Sequence, residues 1–529
     1  MDATRSFVLR MGFLSALLVT THASPSSAQC GEEKLFASDG RRWEYLGTSV
    51  AVSGDRILAG SPDWAIGRVG RAQLFRWDGT AWREEATLGA SDGTAANYFG
   101  MSVALEGDVA VVGAPRANGK ADISGAVYVY RCKGTSWVEE AKLLGQDSAA
   151  YDYFGWAVCL QGELLLVGAI YNDNRSGVVY LFRHSPSGWS EEGKLAGSGL
   201  TSDDHFGYAL SVSGDRLAAS APGYANDMGA TFVFHWNGKA WYEEAMLVSS
   251  DGATGDYFGF AVALDGDRLL VGASGSDQVG AEAGAAYLLR RDATGWREEQ
   301  KLTASDGMAG DRFGASVHIA GERAVIGAPD VDGPDLDSGA VYTYEWDGTS
   351  WTSELKLEAS DGRFMARLGS AVSWRGEQAV AGAPLARGVG LERGAVYLLV
   401  PVPEAVWANY GTGWPGTIGV PSLRLSDDPV LGSSCKLIVS NSLGQPTAGL
   451  LLVGLSLASR DTALDGTLLV LPSWSFIFSL DVSGAIMFLI VPGDCVFAGL
   501  RLYLQALEQD SGASRGVSFT PGLAAQLGE

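Results

Sequence analysis

The sequence predicts an all-β protein: a seven-bladed β-propeller of four-stranded blades closed by an N-terminal strand, followed by a small β-sandwich-like C-terminal domain. Three observations predict it. A glycine-marked unit recurs seven times at intervals of 52 to 55 residues; β-branched and aromatic runs fill the spaces between the glycines; and an incomplete unit stands at each end of the array.

The first marker follows an aromatic or large apolar residue, at Gly47, Gly100, Gly155, Gly207, Gly259, Gly314 and Gly369. Seven residues later a second glycine always comes, at Gly54, Gly107, Gly162, Gly214, Gly266, Gly321 and Gly376. Thirteen residues after the first stands a third marker, at Gly60, Gly113, Gly168, Ser220, Gly272, Gly327 and Gly382. Short apolar runs on either side of the second marker, such as Ser102 to Leu105 and Val109 to Val112, read as a hairpin turning at that glycine.

A third strand is expected at Ala126 to Tyr130, Val178 to Phe182 and Ala340 to Tyr344. A fourth begins at Trp82, Trp137, Trp189, Trp241, Trp296 and Trp351, usually followed by paired Glu and a Leu. Asp78-Gly79, Asn237-Gly238 and Asp347-Gly348 supply turns between them. The seventh unit lacks the Trp-Glu-Glu strand, while Glu32-Glu33-Lys34-Leu35 stands alone before the first, so the N-terminal strand is expected to complete the last blade. Closure of the ring removes exposed sheet edges.

Composition agrees. The chain has 529 residues with 71 Gly, 10% aromatic and only 19% charged residues, which suits many short strands joined by tight turns. Acidic residues outnumber basic ones 61 to 38, for a formal charge of −23, so a phosphate backbone is repelled and no nucleic acid is expected as a partner. Residues 1–28 read as a signal peptide: Arg5 and Arg10 lead, Met11 to Thr20 is apolar, and Ser26, Ser27 and Ala28 form a cleavage site, with Ala23 as the alternative. The propeller is expected over 29–403 and the C-terminal module over 404–529, where the repeat markers vanish and Gly- or Pro-bordered apolar runs continue. Asp461, Asp465 and Asp481 interrupt the most apolar stretch, so no transmembrane segment is expected. Of five cysteines, Cys435 and Cys495 share the C-terminal segment and are the expected disulfide; the pairing of Cys30, Cys132 and Cys159 stays open.

Tyr98-Phe99-Gly100, Tyr153-Phe154-Gly155, Tyr257-Phe258-Gly259 and Arg312-Phe313-Gly314, each followed by a Gly-Ala-Pro-like triplet, resemble FG-GAP repeats, the units of integrin α-chain propellers and of many bacterial exported proteins. The resemblance covers roughly residues 32 to 400. It implies the propeller fold but no single function. Many such repeats hold calcium between their first and second strands, but here that connection is a tight turn such as Ser53-Gly54-Asp55.

The candidate cation site lies elsewhere, in Asp330, Asp332, Asp335 and Asp337 around Gly333, whose alternating carboxylates offer hard oxygen ligands. Two readings stand: a calcium loop, or a solvated loop, since no distal Glu follows at the usual spacing. In the Ala-Ser-Asp-Gly runs ending at Gly40, Gly93, Gly307 and Gly362 the Asp is expected to cap its own turn, and the repeated Trp to pack between blades. The histidines His184, His205, His235 and His318 share no offset. Adjacent Glu residues such as Glu139 and Glu140 point to opposite strand faces and cannot act as a glycosidase pair.

No catalytic constellation stands out. The expected function is therefore an exported, non-catalytic binding or scaffold protein, secreted or on the cell surface, or alternatively periplasmic. It would meet an extracellular protein or glycan on the ring face where the loops between second and third strands vary in length. The alternatives are a polysaccharide-acting hydrolase or lyase, and a structural cell-envelope component.

Overall fold

The computed structural model describes residues 7–9, 32–40, 43–63, 68–387, 393–401, 406–410, 415, 417, 420–430, 433–461, 467–471, 473–480, 484–490, 500–511, 513 and 517–527. They divide into two compact units, one spanning 32–401 and one drawn from 402–529 together with the N-terminal segment.

The first unit consists of seven four-stranded antiparallel sheets. In blade 2, Ser102–Glu106, Val109–Ala114, Ala126–Lys133 and Ser136–Leu143 pair in that order. Blades 1 and 3 to 6 repeat the plan over 49–88, 154–195, 210–247, 258–302 and 316–357. First strands of successive blades pack on one another, and Ala371–Arg375 of blade 7 packs on Ser49–Ser53 of blade 1, which closes the ring with the first strands at the axis. The outermost strand of blade 7 is Glu32–Leu35, paired antiparallel with Ala395–Leu399 in the register Glu32↔Leu399 to Leu35↔Val396.

Burial explains the apolar pattern. Second strands such as Leu164–Ala169 are buried along their whole length because a neighbouring blade covers each face, so they are continuous apolar runs. Outermost strands such as Ser136–Leu143 meet water on one face and alternate. In blades 1 to 6 the third and fourth strands slip register once, at a bulge near the Glu pair or, in blade 6, near Ser353-Glu354. Glu32–Leu35 pairs with no such slip, which fits its lack of the residue that stands between Glu and Lys in Glu140-Ala141-Lys142.

The third-marker glycines mark close approach between blades. A Cβ at Gly113 would collide with the Gly155 carbonyl of the next blade. Blade 4 carries Ser220 there instead, and its hydroxyl accepts the Ala209 N–H at 3.0 Å.

In the second unit, Val406–Tyr410, Gly522–Gln526, Arg501–Gln509, Thr447–Gly454 and Trp474–Leu480 form one sheet, with Val517–Phe519 beside Arg501–Gln509. Leu423–Leu425, Ser434–Val439 and Ala485–Ile490 form another, to which Phe7–Leu9 adds a parallel edge strand. Leu423, Leu437 and Met487 from one sheet and Leu451, Leu504 and Leu523 from the other share a single apolar core, as in a sandwich. The rest of the expected signal segment 1–28 lies outside the described residues. Cys435 is a buried free thiol, as Cys132 and Cys159 are free, and Cys495 lies outside the described residues. Among the described residues no helix is long and apolar enough to cross a membrane.

Candidate functional site

Most repeated polar residues are consumed in holding the ring. Each chain segment entering a blade crosses from rim to axis, and the blade it enters pins it. Glu139 accepts from the Ser91 N–H at 3.0 Å and hydroxyl at 2.8 Å. The same bonds join Glu243 to Ser198, Glu298 to Ser250 and Glu354 to Ser305. At the seam, Glu32 receives them from Ser360, at 2.8 and 3.0 Å. The Asp of the Ser-Asp-Gly runs also bonds into the blade that its segment enters. Asp92 accepts from the Tyr128 hydroxyl at 2.8 Å and from Lys142 at 2.6 Å, and Lys142 above all holds its carboxyl below the ordinary range. Asp361 is bonded in the same way to Tyr397 and Lys34.

A second belt circles the opposite end of the first strands, where the residue before each second-marker glycine bonds to that glycine's counterpart in the next blade. Ser53 receives the Gly107 N–H, Glu106 that of Gly162, Gln161 that of Gly214, Ser213 that of Gly266 and Asp265 that of Gly321. Blade 6 has Ala320 at this position, and Arg323 bonds the Gly376 carbonyl instead. Arg375 completes the circle on the Gly54 carbonyl. The repeated Trp residues also pack between blades: the Arg56 guanidinium lies 5.3 Å from the Trp137 ring and that of Arg375 4.7 Å from Trp82.

The side chains that break the repeat gather at one mouth of the axis. The residue after each first-marker glycine is Thr48, Met101, Trp156, Tyr208, Phe260, Ala315 and Ser370 in ring order. In blades 3, 4 and 5 it is aromatic, and the three rings touch in series: Trp156 to Tyr208 at 5.5 Å and Tyr208 to Phe260 at 5.3 Å between centroids. Equivalent positions can meet this closely only near the axis. All three are half-buried, and burial pushes the Tyr208 hydroxyl up to about 12. The positions that follow, Ala315, Ser370 and Thr48, are small.

A wider ring surrounds this one, two residues before each first-marker glycine: Tyr45, Tyr98, Tyr153, His205, Tyr257, Arg312 and Arg367. All seven have left-handed backbone, with φ between 56 and 62°. That conformation costs a non-Gly residue of this kind about 1 kcal/mol or more and persists only where surrounding bonds enforce it. In six of the seven the hydrogen bond from the next N–H to the preceding blade does so, as Phe154 N–H to Ser124 O at 2.9 Å shows, while Phe99 N–H donates to the Asn97 Oδ1 at 3.1 Å. Tyr153 stacks parallel to Trp156 at 6.3 Å and meets Tyr171 at 4.8 Å, and Tyr171 meets His205 at 5.2 Å. Tyr171 opens the short loop between second and third strands of blade 3, where Asp173, Asn174 and Arg175 turn left-handed. Burial lowers the pKa of His205 and keeps the ring neutral at neutral pH.

The acidic loop borders the same mouth in blade 6. Asp330 lies between Arg312 at 3.6 Å and Arg367 at 3.2 Å. Asp332 accepts the Asp337 N–H and Asp335 accepts the Leu336 N–H, so these carboxylates order their own loop. Among the described residues no three His, Cys, Asp or Glu side chains come together in a way that could hold a metal ion, and Asp330, Asp332, Asp335 and Asp337 do not converge. Of the other histidines, His318 lies on the first strand of blade 6, where burial depresses its pKa to about 4.

Six segments, 82–130, 137–182, 189–234, 241–289, 296–344 and 351–399, match the model of the FG-GAP repeat and together span more than half of the chain. Each match begins at the outermost strand of one blade and ends with the third strand of the next. Among solved structures, the chain is similar to Sqt1 from Chaetomium thermophilum, at 12% identity over 64% of this chain and 80% of that one, with a TM-score of 0.40. It is similar to the acylaminoacyl peptidase of Pyrococcus horikoshii at 10% identity, over 75% of this chain and 57% of that one, with a TM-score of 0.39. It is also similar to the β-propeller domain of the Trilobed protease from Pyrococcus furiosus, at 12% identity over 64% and 90%, with a TM-score of 0.35. No curated protein matches the chain.

Proposed function

This chain belongs to the FG-GAP repeat family, and from that premise we propose that it is an exported, non-catalytic binding or scaffold protein that recognises a protein or glycan on the axial mouth of its propeller. One observation carries the reading. The repeated polar side chains are largely spent on bonds within the ring, whereas the unrepeated Trp156, Tyr208 and Phe260 concentrate at a single mouth. A packing role alone would repeat around the ring, as the tyrosines Tyr128, Tyr180, Tyr287, Tyr342 and Tyr397 do. Aromatic side chains supply large contact area at low entropic cost, which suits recognition.

The test is a binding screen of the full chain against glycans and envelope proteins, with and without calcium, repeated with Trp156→Ala and with Val138→Ala on the outer strand of blade 2. The reading expects a ligand whose binding falls with Trp156→Ala and not with Val138→Ala. A ligand equally indifferent to both would place recognition elsewhere. Cell fractionation separates a released protein from a component of the envelope.

A further inference from the structure

We propose that the axial mouth takes a neutral sugar ring, seated on the Trp156, Tyr208 and Phe260 arc with its hydroxyl edge toward the Arg312, Asp330 and Arg367 side; this rests on the mouth being the recognition surface. Four features of the site lead there. The arc covers three consecutive blades; of the four remaining equivalent positions, Ala315, Ser370 and Thr48 are small, and Met101 stands between Thr48 and Trp156. The equivalent positions thus set an aromatic wall on one side of the axis and small side chains on the other.

The wall also carries polar groups that the fold does not use. Neither the Tyr208 hydroxyl nor the Trp156 indole N–H has a hydrogen-bond partner among the described residues. A purely apolar occupant would leave both unsatisfied once water is displaced, which is costly. A sugar offers a C–H face to the rings and hydroxyls to these two groups.

The rim is balanced in charge. Arg312 pairs with Glu282 at 3.1 Å as well as with Asp330, and Asp330 is shared with Arg367. Two guanidiniums at the mouth oppose a cationic side chain, while their carboxylate partners and the net charge of −23 oppose an anionic chain. Paired Arg and Asp groups fixed by one another present both donors and acceptors without net charge, as ring hydroxyls require. The neutral His205 extends the same uncharged surface on the other flank.

The experiment uses the full chain, titrated by calorimetry and by tryptophan fluorescence with a panel of neutral hexose hexasaccharides. Polygalacturonate, decaproline and deca-arginine are titrated in parallel. At least one neutral hexasaccharide should bind and change the fluorescence. Trp156→Ala and Tyr208→Ala should weaken binding about tenfold or more, the loss expected for a buried aromatic anchor. Tyr208→Phe should weaken it about threefold or more through the hydroxyl alone. Ala315→Trp removes no packing and puts a large ring among the small residues that face the arc, so it should abolish binding in a folded protein, checked by its unfolding midpoint. The sugar proposal is overturned if no neutral hexasaccharide binds, or if binding ignores both Trp156→Ala and Ala315→Trp. Should decaproline, deca-arginine or polygalacturonate bind in place of the sugars and be lost with Trp156→Ala, the recognition surface stands and the ligand class falls.

Discussion

Replacing Leu35 by Ala tests the closure of the ring at one side chain. Leu35 lies near the start of the described propeller, yet it is only 6% exposed and packs with Val380, Val396 and Leu398 of blade 7 and with Ile57, Ala59 and Phe75 of blade 1. Its counterpart in the middle of the array is Leu143, 7% exposed at the end of the outermost strand of blade 2. Removing a buried leucine side chain costs about 2–4 kcal/mol through lost transfer energy and the cavity left behind, against a total stability of order 5–15 kcal/mol. The matched burial predicts that Leu35→Ala and Leu143→Ala lower stability by amounts within about 1 kcal/mol of each other. Urea unfolding followed by tryptophan fluorescence measures both. A Leu143→Ala midpoint that falls while that of Leu35→Ala stays at the parent value would show that the N-terminal strand does not hold the ring. The stronger perturbation, deletion of residues 30 to 36, should expose the Ala395–Leu399 edge and sensitise blade 7 to proteolysis.

Three further outcomes follow from the same geometry. Gly113→Ala should destabilise by about 2 kcal/mol or more because its Cβ meets the Gly155 carbonyl, whereas Gly107→Ala, with nothing near its Cβ but a φ of 55°, should cost only about 1 kcal/mol; paired thermal melts decide. His318 titrates near 4 when folded and near 6.5 in its ordinary state, so the unfolded chain takes up the proton first as pH falls. The stability this residue contributes is complete above pH 6.5 and lost progressively down to about 4, by at most about 3 kcal/mol; in His318→Asn the urea midpoint should fall less between pH 7.5 and 4.5. Because Asp330 is held between two guanidiniums, calcium should give no calorimetric heat and no rise in melting temperature, and a rise that Asp332→Ala abolishes would restore the cation reading of that loop.

The blades were legible because their constraints are local and repeated. A glycine that would clash across a blade boundary leaves the same mark every 52 to 55 residues, and Glu32-Glu33-Lys34-Leu35 could be recognised as a displaced outer strand by likeness to its counterparts. The partners of Asp92 and its equivalents were harder to see, since Tyr128 and Lys142 lie 36 and 50 residues away and only the three-dimensional path of the connecting segment brings them together. The axial mouth was missed for a different reason. Alignment on the glycines directs the eye to what recurs, and Trp156, Tyr208 and Phe260 are informative because Ala315 and Ser370 are not aromatic. Reading down the column after each first-marker glycine would have found them. The acidic loop left two readings open in the sequence, and what its spacing could not reveal is that Arg312 and Arg367 flank Asp330.

The seam between Glu32 and Ser360 joins groups 328 residues apart in sequence. A chain made from its N-terminus can assemble blades 1 to 6 largely from near neighbours, but its last sheet must wait until Ala395–Leu399 has emerged and found the strand that emerged first. Such distant pairing carries a large loop-closure entropy and belongs to the slow end of folding. Until it forms, the Ala395–Leu399 strand has an open edge of unpaired backbone groups, the state most prone to pairing with another chain. The last step of folding is thus also its point of greatest exposure to aggregation, and any chaperone protection would matter most in the interval between completion of blade 6 and capture of residues 32–35.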